Sequence, residues 1–318
     1  MLNYFLKLKT ITFFLFFLLI KYNIAENNQI LLNEILPGLL LYYGENEEPN
    51  KINKGAIANK VAIIGNKSIL VYDSGPSKQF AEEFIKELRK YSKKPIKYLV
   101  ISHRHFDHAY GIEAYIKKKV TIFIDKTEYS YLKKEGPLIN NLLIKNLGFN
   151  EDNINFDNIS EEKINFLADS IEVNLGNRRV LIKNLGIAHT KGDLIAYDFN
   201  TNTYITGDII FMGRAAAFSD ANIPMWIEVL KNKLDLSWDY LIPGHGAIIT
   251  NKLELNDTKN WLYFLDNSIK HAISEGDMIS EIFQYPIPKE IHHLKMKSIT
   301  LRQGIKKQLD LYRKKYIE

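Results

Sequence analysis

The stretch ISHRHFDHAYG, Ile101 to Gly111, holds His103, His105 and His108 with Asp107 between the last two, in a chain of 318 residues with only eight histidines. The run before and into it, IKYLVIS from Ile96 to Ser102, is apolar, β-branched and aromatic and follows Pro95. It reads as a buried strand. A ligand-type cluster just past the carboxyl end of such a strand lies where α/β folds carry chemistry, on loops held by a rigid sheet. A lone His-x-His pair is an ordinary surface feature, so the rest of the chain has to decide its meaning.

Three more positions repeat the context. His189 in GIAHTKGDL, Asp208 in YITGDIIF and His245 in IPGHGAI each follow an apolar strand-like run and sit in a turn marked by glycine. His271, His292 and His293 lie in a helical tail without that context and are assigned no role. Neutral imidazole and carboxylate suit zinc, and a catalytic zinc takes three protein ligands and keeps a position open for water. The seven candidates, His103, His105, Asp107, His108, His189, Asp208 and His245, are too many for one ion. They suit a pair of Zn2+ ions about 3.5–4 Å apart with a carboxylate between them. Buried without cations, these groups would carry desolvation cost and charge repulsion.

Outward from the cluster, the pattern is β-rich, then α/β, then β-rich again. ILPGLLLYYG, KVAIIG and SILVYDSG read as strands, with a turn at Gly65 to Lys67. SKQFAEEFIKELRKYS spaces Phe80, Phe84, Leu88 and Tyr91 as one face of an amphipathic helix. A second helix is expected over about Gly111 to Lys118, then a strand over Val120 to Ile124. Asp125 to Asp169, rich in Asn, Lys and Glu, is expected to be a mostly helical excursion over the site. SIEVNLG, RRVLIKN, DLIAYDF and TYIT read as short strands, ANIPMWIEVLKNKL as a helix and WDYLIPG as a strand entering a turn. The last sixty or so residues read as helical. From Leu294 onward eight Lys or Arg face two acids, on a helix whose apolar stripe is Leu301, Ile305, Leu309, Tyr312 and Tyr316.

Composition sets the class. With 46% hydrophobic and 25% charged residues the chain is an ordinary globular protein. Lys7 and Lys9 precede the apolar run Ile11 to Ile20, which is short for a bilayer span and reads as a signal-peptide core over residues 1–25, with an uncleaved membrane anchor as the alternative. A periplasmic or secreted location follows. The chain has no cysteine, so neither a disulfide nor a thiolate ligand is available. The formal charge is +5, of which Lys7, Lys9 and Lys21 belong to the leader, so no nucleic-acid partner is implied. The remaining chain divides into a catalytic domain over 26–255 and a helical extension over 256–318, expected to pack on the same domain.

The order His-x-His-x-Asp-His, His-Thr with a Gly-Asp, Gly-Asp after a strand, and Pro-Gly-His-Gly resembles the metallo-β-lactamase-fold hydrolases over about Ile35 to Ile249. The resemblance implies an α/β (α+β) fold, a four-layered αββα sandwich with the metals at one edge of the paired sheets. It implies that His103, His105 and His189 hold the first zinc, that Asp107, His108 and His245 hold the second, and that Asp208 bridges them. Asp73 in VYDSG matches an acid that supports the first histidine loop. Asp208 stands where some relatives have a cysteine ligand, and His105 where the di-iron branch has an acid, so zinc is favoured over iron. ILPGLLLYYG, FMGRAAAFSDANIPMW and LIPGHG are similar to exported zinc metallohydrolases associated with quinoprotein dehydrogenase systems.

The expected activity is therefore a zinc-dependent hydrolase that uses a metal-bound hydroxide on an ester, thioester, lactone or amide-type bond of a small-molecule substrate. Asp107 is expected to orient the nucleophile and take its proton. Lys191 and Arg214 are candidates for contact with a charged substrate group. The alternatives are a mononuclear iron oxygenase on the same fold, and a non-catalytic accessory protein of a periplasmic quinoprotein dehydrogenase.

Overall fold

The computed structural model describes residues 30–116, 118, 120–150 and 153–316. The chain divides into two compact units, Met1–Leu31 and Leu32–Glu318, and the second holds both sheets. The leader expected over residues 1–25 lies outside the described residues.

Among the described residues, twelve strands form two sheets. The first holds β1 (Asn33–Leu36), β2 (Leu39–Tyr42), β3 (Lys60–Ile64), β4 (Ile69–Tyr72), β5 (Ile96–Val100), β6 (Thr121–Ile124) and β7 (Ile164–Phe166), in chain order. β1 to β4 pair antiparallel, and β4 to β7 pair parallel. The second holds β8 (Ser170–Asn174), β9 (Arg179–Asn184), β10 (Leu194–Asp198), β11 (Thr203–Ile205) and β12 (Tyr240–Ile242), in the order β12-β11-β10-β9-β8. Its only parallel pair among the described strands is β11 with β12.

Side chains two apart on a strand share a face, and that alternation builds the sandwich. Leu39 and Leu41, Val61 and Ile63, and Leu70 and Tyr72 from the first sheet pack with Val180 and Ile182, and Leu194 and Ala196, from the second. The intervening residues Ile195, Tyr197 and Tyr204 face the other way. They meet Trp226 of α5 (Ile223–Asn232), Trp261 and Leu265 of α6 (Asn256–Glu275), and Leu301, Ile305 and Leu309 of α8 (Lys297–Tyr316). On the first sheet's outer face lies α1 (Lys78–Tyr91). Ser77 caps it by accepting from the Phe80 N–H, Phe84 and Leu88 are buried, and the Phe80 ring lies 5.1 Å from that of Tyr42 on β2. The layers are helix, sheet, sheet, helix.

Several local readings are refined. ILPGLLLYYG is a hairpin rather than a strand: Pro37-Gly38 turns the chain and Leu36 pairs with Leu39. The helix expected over 111–118 is the short α3 (Glu113–Ile116), and another short helix, α2 (Phe106–Ala109), precedes it inside the histidine segment. Among its described residues, the 125–169 excursion is α-helical through α4 (Lys126–Leu147), capped by the Asp125 carboxylate and ended at Gly148. Short 3-10 turns and β7 complete it. A further short helix, α7 (Ile279–Ile282), follows α6.

Candidate metal centre

The seven candidate residues lie at one edge of the sandwich. Asp73 follows β4, the 103–108 segment follows β5, His189 lies in the β9–β10 loop, Asp208 follows β11 and His245 follows β12. They form two groups whose ligand atoms lie within 4.8 Å of one another: His103, His105, His189 and Asp208, and then Asp107, His108 and His245.

In the first group, His105 Nδ1 lies 2.9 Å from His103 Nε2 and 3.2 Å from His189 Nε2. Asp208 Oδ2 is 3.8 Å from the former's ring partner, His103 Nε2, and 3.4 Å from His189 Nε2. In the second, Asp107 Oδ2 lies 3.5 Å from His108 Nε2 and 3.4 Å from His245 Nε2. Asp208 Oδ1 is 3.1 Å and 3.3 Å from the same two nitrogens. A tetrahedral zinc with ligands at about 2.0–2.1 Å has ligand atoms about 3.3 Å apart. Both groups have that size, and the two oxygens of Asp208 serve one group each.

The outward ring nitrogens fix which atoms face in. A neutral imidazole carries one N–H, and at all five histidines the outward nitrogen has an acceptor. His103 Nδ1 donates to Ser102 Oγ at 2.9 Å, whose hydroxyl in turn donates to Asp73 Oδ2 at 3.0 Å. His108 Nδ1 donates to Asp73 Oδ2 at 2.7 Å, His189 Nδ1 to the Ala217 carbonyl at 3.1 Å and His245 Nδ1 to the Ile57 carbonyl at 2.8 Å. His105 is turned over and donates through Nε2 to Asp220 at 3.0 Å. Five bare lone pairs then converge with two carboxylates. His108 Nε2 and Asp208 Oδ1, although close, are misaligned and have no hydrogen-bond partner, and both are buried. Unpartnered buried acceptors are costly, and cations held between them remove that cost. The donor set and its spacing fit zinc.

The carboxylates call for positive charge at the centre, which a proton on His108 supplies and a cation held there would replace. Burial opposes a charge on His108, yet Asp208, Asp107 and Asp73 outweigh it and raise its pKa to about 10. Burial lowers His189 to about 3 and His103 well below the usual imidazole value, which keeps both neutral as ligands. Burial works to raise Asp107 and Asp208, but His108 and His245 hold both carboxylates ionised.

Close backbone approach makes the arrangement possible. A Cβ on Gly244 would lie 2.1 Å from Asp208 Oδ1, so the Pro-Gly-His turn passes the carboxylate only as glycine. Asn59 holds that turn, donating through Nδ2 to the Pro243 and Gly246 carbonyls at 2.9 Å each. Asp73 sits at φ 63, a left-handed backbone that aspartate tolerates, and there its Oδ1 accepts the Ser102 N–H at 2.8 Å.

The two substrate-contact candidates sit differently. Lys191 is exposed, and its backbone N–H donates to Glu128 at 3.0 Å. Arg214 is buried on the outer side of His245, 3.5 Å from its Nδ1 and 3.9 Å from Glu48. Asp220, Arg104 and Asn59 were not read from the sequence. Arg104 binds Glu128 and Asp220, the latter at 2.7 Å. Asp220 and Asn59 sit in no strand-end glycine turn, the one signal used to find ligands, and Arg104, although inside the histidine segment, is not a metal-ligand type. The side chain of His105 is 25% exposed while those of His103 and His108 are at most 1%, so the centre opens to solvent past His105.

Comparison with known proteins agrees with this geometry. The family model of the metallo-beta-lactamase superfamily matches residues 56–245. A linear primary-alkylsulfatase of Pseudomonas sp. is 28% identical over 89 residues, which are 26% of this chain, and the match spans 17% of that relative. The solved structure of TMB-1 is similar with a TM-score of 0.56 at 18% identity, covering 74% of this chain and 98% of that one. A metallo-beta-lactamase from Pontibacter korlensis gives a TM-score of 0.57 at 16% identity, covering 74% and 99%. The stereoselective inverting sec-alkylsulfatase Pisa1 of Pseudomonas sp. gives 0.65 at 17% identity, covering 86% of this chain and 49% of that one. With its two sheets, its flanking helices and its His/Asp groups at one edge, the chain belongs to the metallo-β-lactamase superfamily.

Proposed function

We propose that the chain is a hydrolase that holds two zinc ions and cleaves an ester, thioester, lactone or amide-type bond of a small molecule. The observation that carries this reading is the shared carboxylate: Asp208 offers one oxygen to each of two ligand groups, with edges of 3.1–3.8 Å. Zinc bound there supplies hydroxide at neutral pH and a Lewis acid for the oxygen that gains charge in the transition state. Asp107, ionised and beside His245, orients the attacking water and accepts its proton. The exposed edge of His105 marks the side from which substrate enters. Lys191, exposed two residues past His189, is the cation assigned to a charged substrate group, and Arg214 adds positive potential behind His245. Export, a membrane tether through the N-terminal segment and docking to a periplasmic quinoprotein dehydrogenase belong to the same proposal, and cell fractionation with affinity capture of the dehydrogenase tests them.

The test of the activity is a panel of lactams, lactones, thioesters and sulfate esters, run on protein stripped by chelator and rebuilt with zinc, manganese or iron. Hydrolysis that returns with zinc supports the reading. Activity that needs iron and oxygen instead establishes an oxygenase, and inertness of the zinc form across the panel favours an accessory role. Sulfate esters belong in the panel because one relative similar in sequence, at 28% identity over 89 residues, is an alkylsulfatase.

A further inference from the structure

Two of the three histidines in the first ligand group lean on a single segment, residues 217–220. His189 Nδ1 donates to the Ala217 carbonyl, and His105 Nε2 donates to the Asp220 carboxylate. The second group leans elsewhere: His108 on Asp73, and His245 on the Ile57 carbonyl. The 217–220 segment is in turn gripped by the C-terminal helices. Trp261 Nε1 on α6 donates to the Ala216 carbonyl at 3.0 Å. On α8, the Gln308 amide donates to the Phe218 and Ala221 carbonyls at 2.8 and 2.9 Å, and Lys307 Nζ donates to Asp220 Oδ1 at 2.5 Å. Gly304 lets α8 close onto Phe218, since a Cβ there would lie 2.7 Å from the ring. Arg104 takes the remaining Asp220 oxygen at 2.7 Å, so the carboxylate that faces His105 is fixed from both sides.

We infer that α8 is a working part of the first metal site, in which Lys307 and Gln308 are positioning residues that set its zinc affinity through Asp220 and Ala217. This rests on the two-zinc reading above. A carboxylate that accepts the outward N–H of a ligating imidazole fixes its tautomer and ring angle and strengthens the ligand. Asp220 does this only while it is itself held. Lys307 is half exposed, so its ion pair with Asp220 adds little to overall stability. Its effect is on where the carboxylate points. Gln308 is buried and its amide serves the Phe218, Ser219 and Ala221 carbonyls of the loop, which sets where the loop runs.

The experiment is a zinc titration of the full chain against a chromophoric chelator, resolving two dissociation constants. It is repeated with Lys307→Ala, Gln308→Ala, Lys307→Arg and Lys306→Ala, each checked for its melting temperature. The expected result is that one zinc binds about 10–100-fold more weakly in the first two variants. The other zinc is expected to stay at its original affinity. Lys307→Arg should restore most of the loss, and Lys306→Ala, on the exposed face, should match the parent chain. Cobalt(II) in place of zinc should show altered d–d bands for one of the two ions only. Equal weakening of both sites, or unchanged constants in both Lys307→Ala and Gln308→Ala, would overturn the inference. A parent chain that binds fewer than two zinc ions would instead overturn the two-zinc reading itself, before any variant is compared.

Discussion

The replacement Gly244→Ala adds one methyl group at a place where the structure has no room for it. The new Cβ would lie 2.1 Å from Asp208 Oδ1, and 2.7 and 2.8 Å from the carbonyl carbon and oxygen of Gly207. Since real Cβ atoms essentially never come within 3.0 Å of a heavy atom, the Asp208 oxygen must retreat by about 0.9 Å. Metal sites tolerate ligand displacements of about 0.2 Å, so the retreat removes Oδ1 from the second ligand group. Oδ2 of the same carboxylate moves with it and leaves the first group. Misplacement by about 1 Å in a catalytic constellation costs about 100-fold in rate. Loss of an outer-shell partner alone costs about 10–100-fold in metal affinity, which sets a lower bound here. Gly244→Ala should therefore weaken both zinc ions by at least that factor and lower kcat/KM by about 100-fold or more. Competition with a chelator reads the affinities, and initial rates on whichever panel substrate is cleaved read the activity. Two zinc ions held as tightly as in the parent chain would refute the close approach of the Pro-Gly-His turn to Asp208.

Further outcomes follow from other residues. Ser102→Ala removes the hydroxyl that links His103 to Asp73, and should weaken zinc by about 10–100-fold in the same chelator assay while the fold stays intact. Trp226→Ala empties a fully buried site beside His189 and strands the Ile209 carbonyl; urea unfolding should show a loss of about 3–5 kcal/mol. Glu113 gives an acid-dependent signal. Burial opposes its charge, but the Asn155 N–H, Asn158 Nδ2 and Lys78 Nζ outweigh burial and hold its pKa below the ordinary 4.5. Because the unfolded chain then binds the proton more readily, stability from Glu113 is complete above pH 4.5 and is lost as pH falls through the folded value. The stability gap between the parent chain and Glu113→Gln should close on acidification, and a gap that widens would contradict the sign. Saturating zinc should raise the melting temperature in proportion to the logarithm of its free concentration, and chelator should reverse it.

The strand-end residues were legible because their signal is local. An apolar run followed by a small-residue turn and a ligand-type side chain is visible within ten residues, as at His103, His189, Asp208 and His245. The αββα class was implied by the family resemblance that those motifs carry, and the two sheets and flanking helices match it. What stayed hidden is nonlocal. Asp220 meets His105 across more than a hundred residues and Lys307 across 87, and nothing in FSDAN marks it as a partner of either. Asn59 reads as an ordinary residue before a strand until the Pro243 turn, 184 positions later, is folded against it. β7 is three residues long in a polar setting, too short for an alternation to register. The pairing of Leu36 with Leu39 hid inside a continuous apolar run, where only Pro37-Gly38 signals the turn.

The most direct measurement is the metal content of the chain purified without added metal, compared with that of Asp208→Ala. The account predicts two equivalents of zinc per chain, and the loss of tight binding at both positions in the variant, since one carboxylate serves the two ligand groups. A single ion that survives Asp208→Ala, or a chain that takes up no divalent metal at all, would contradict it.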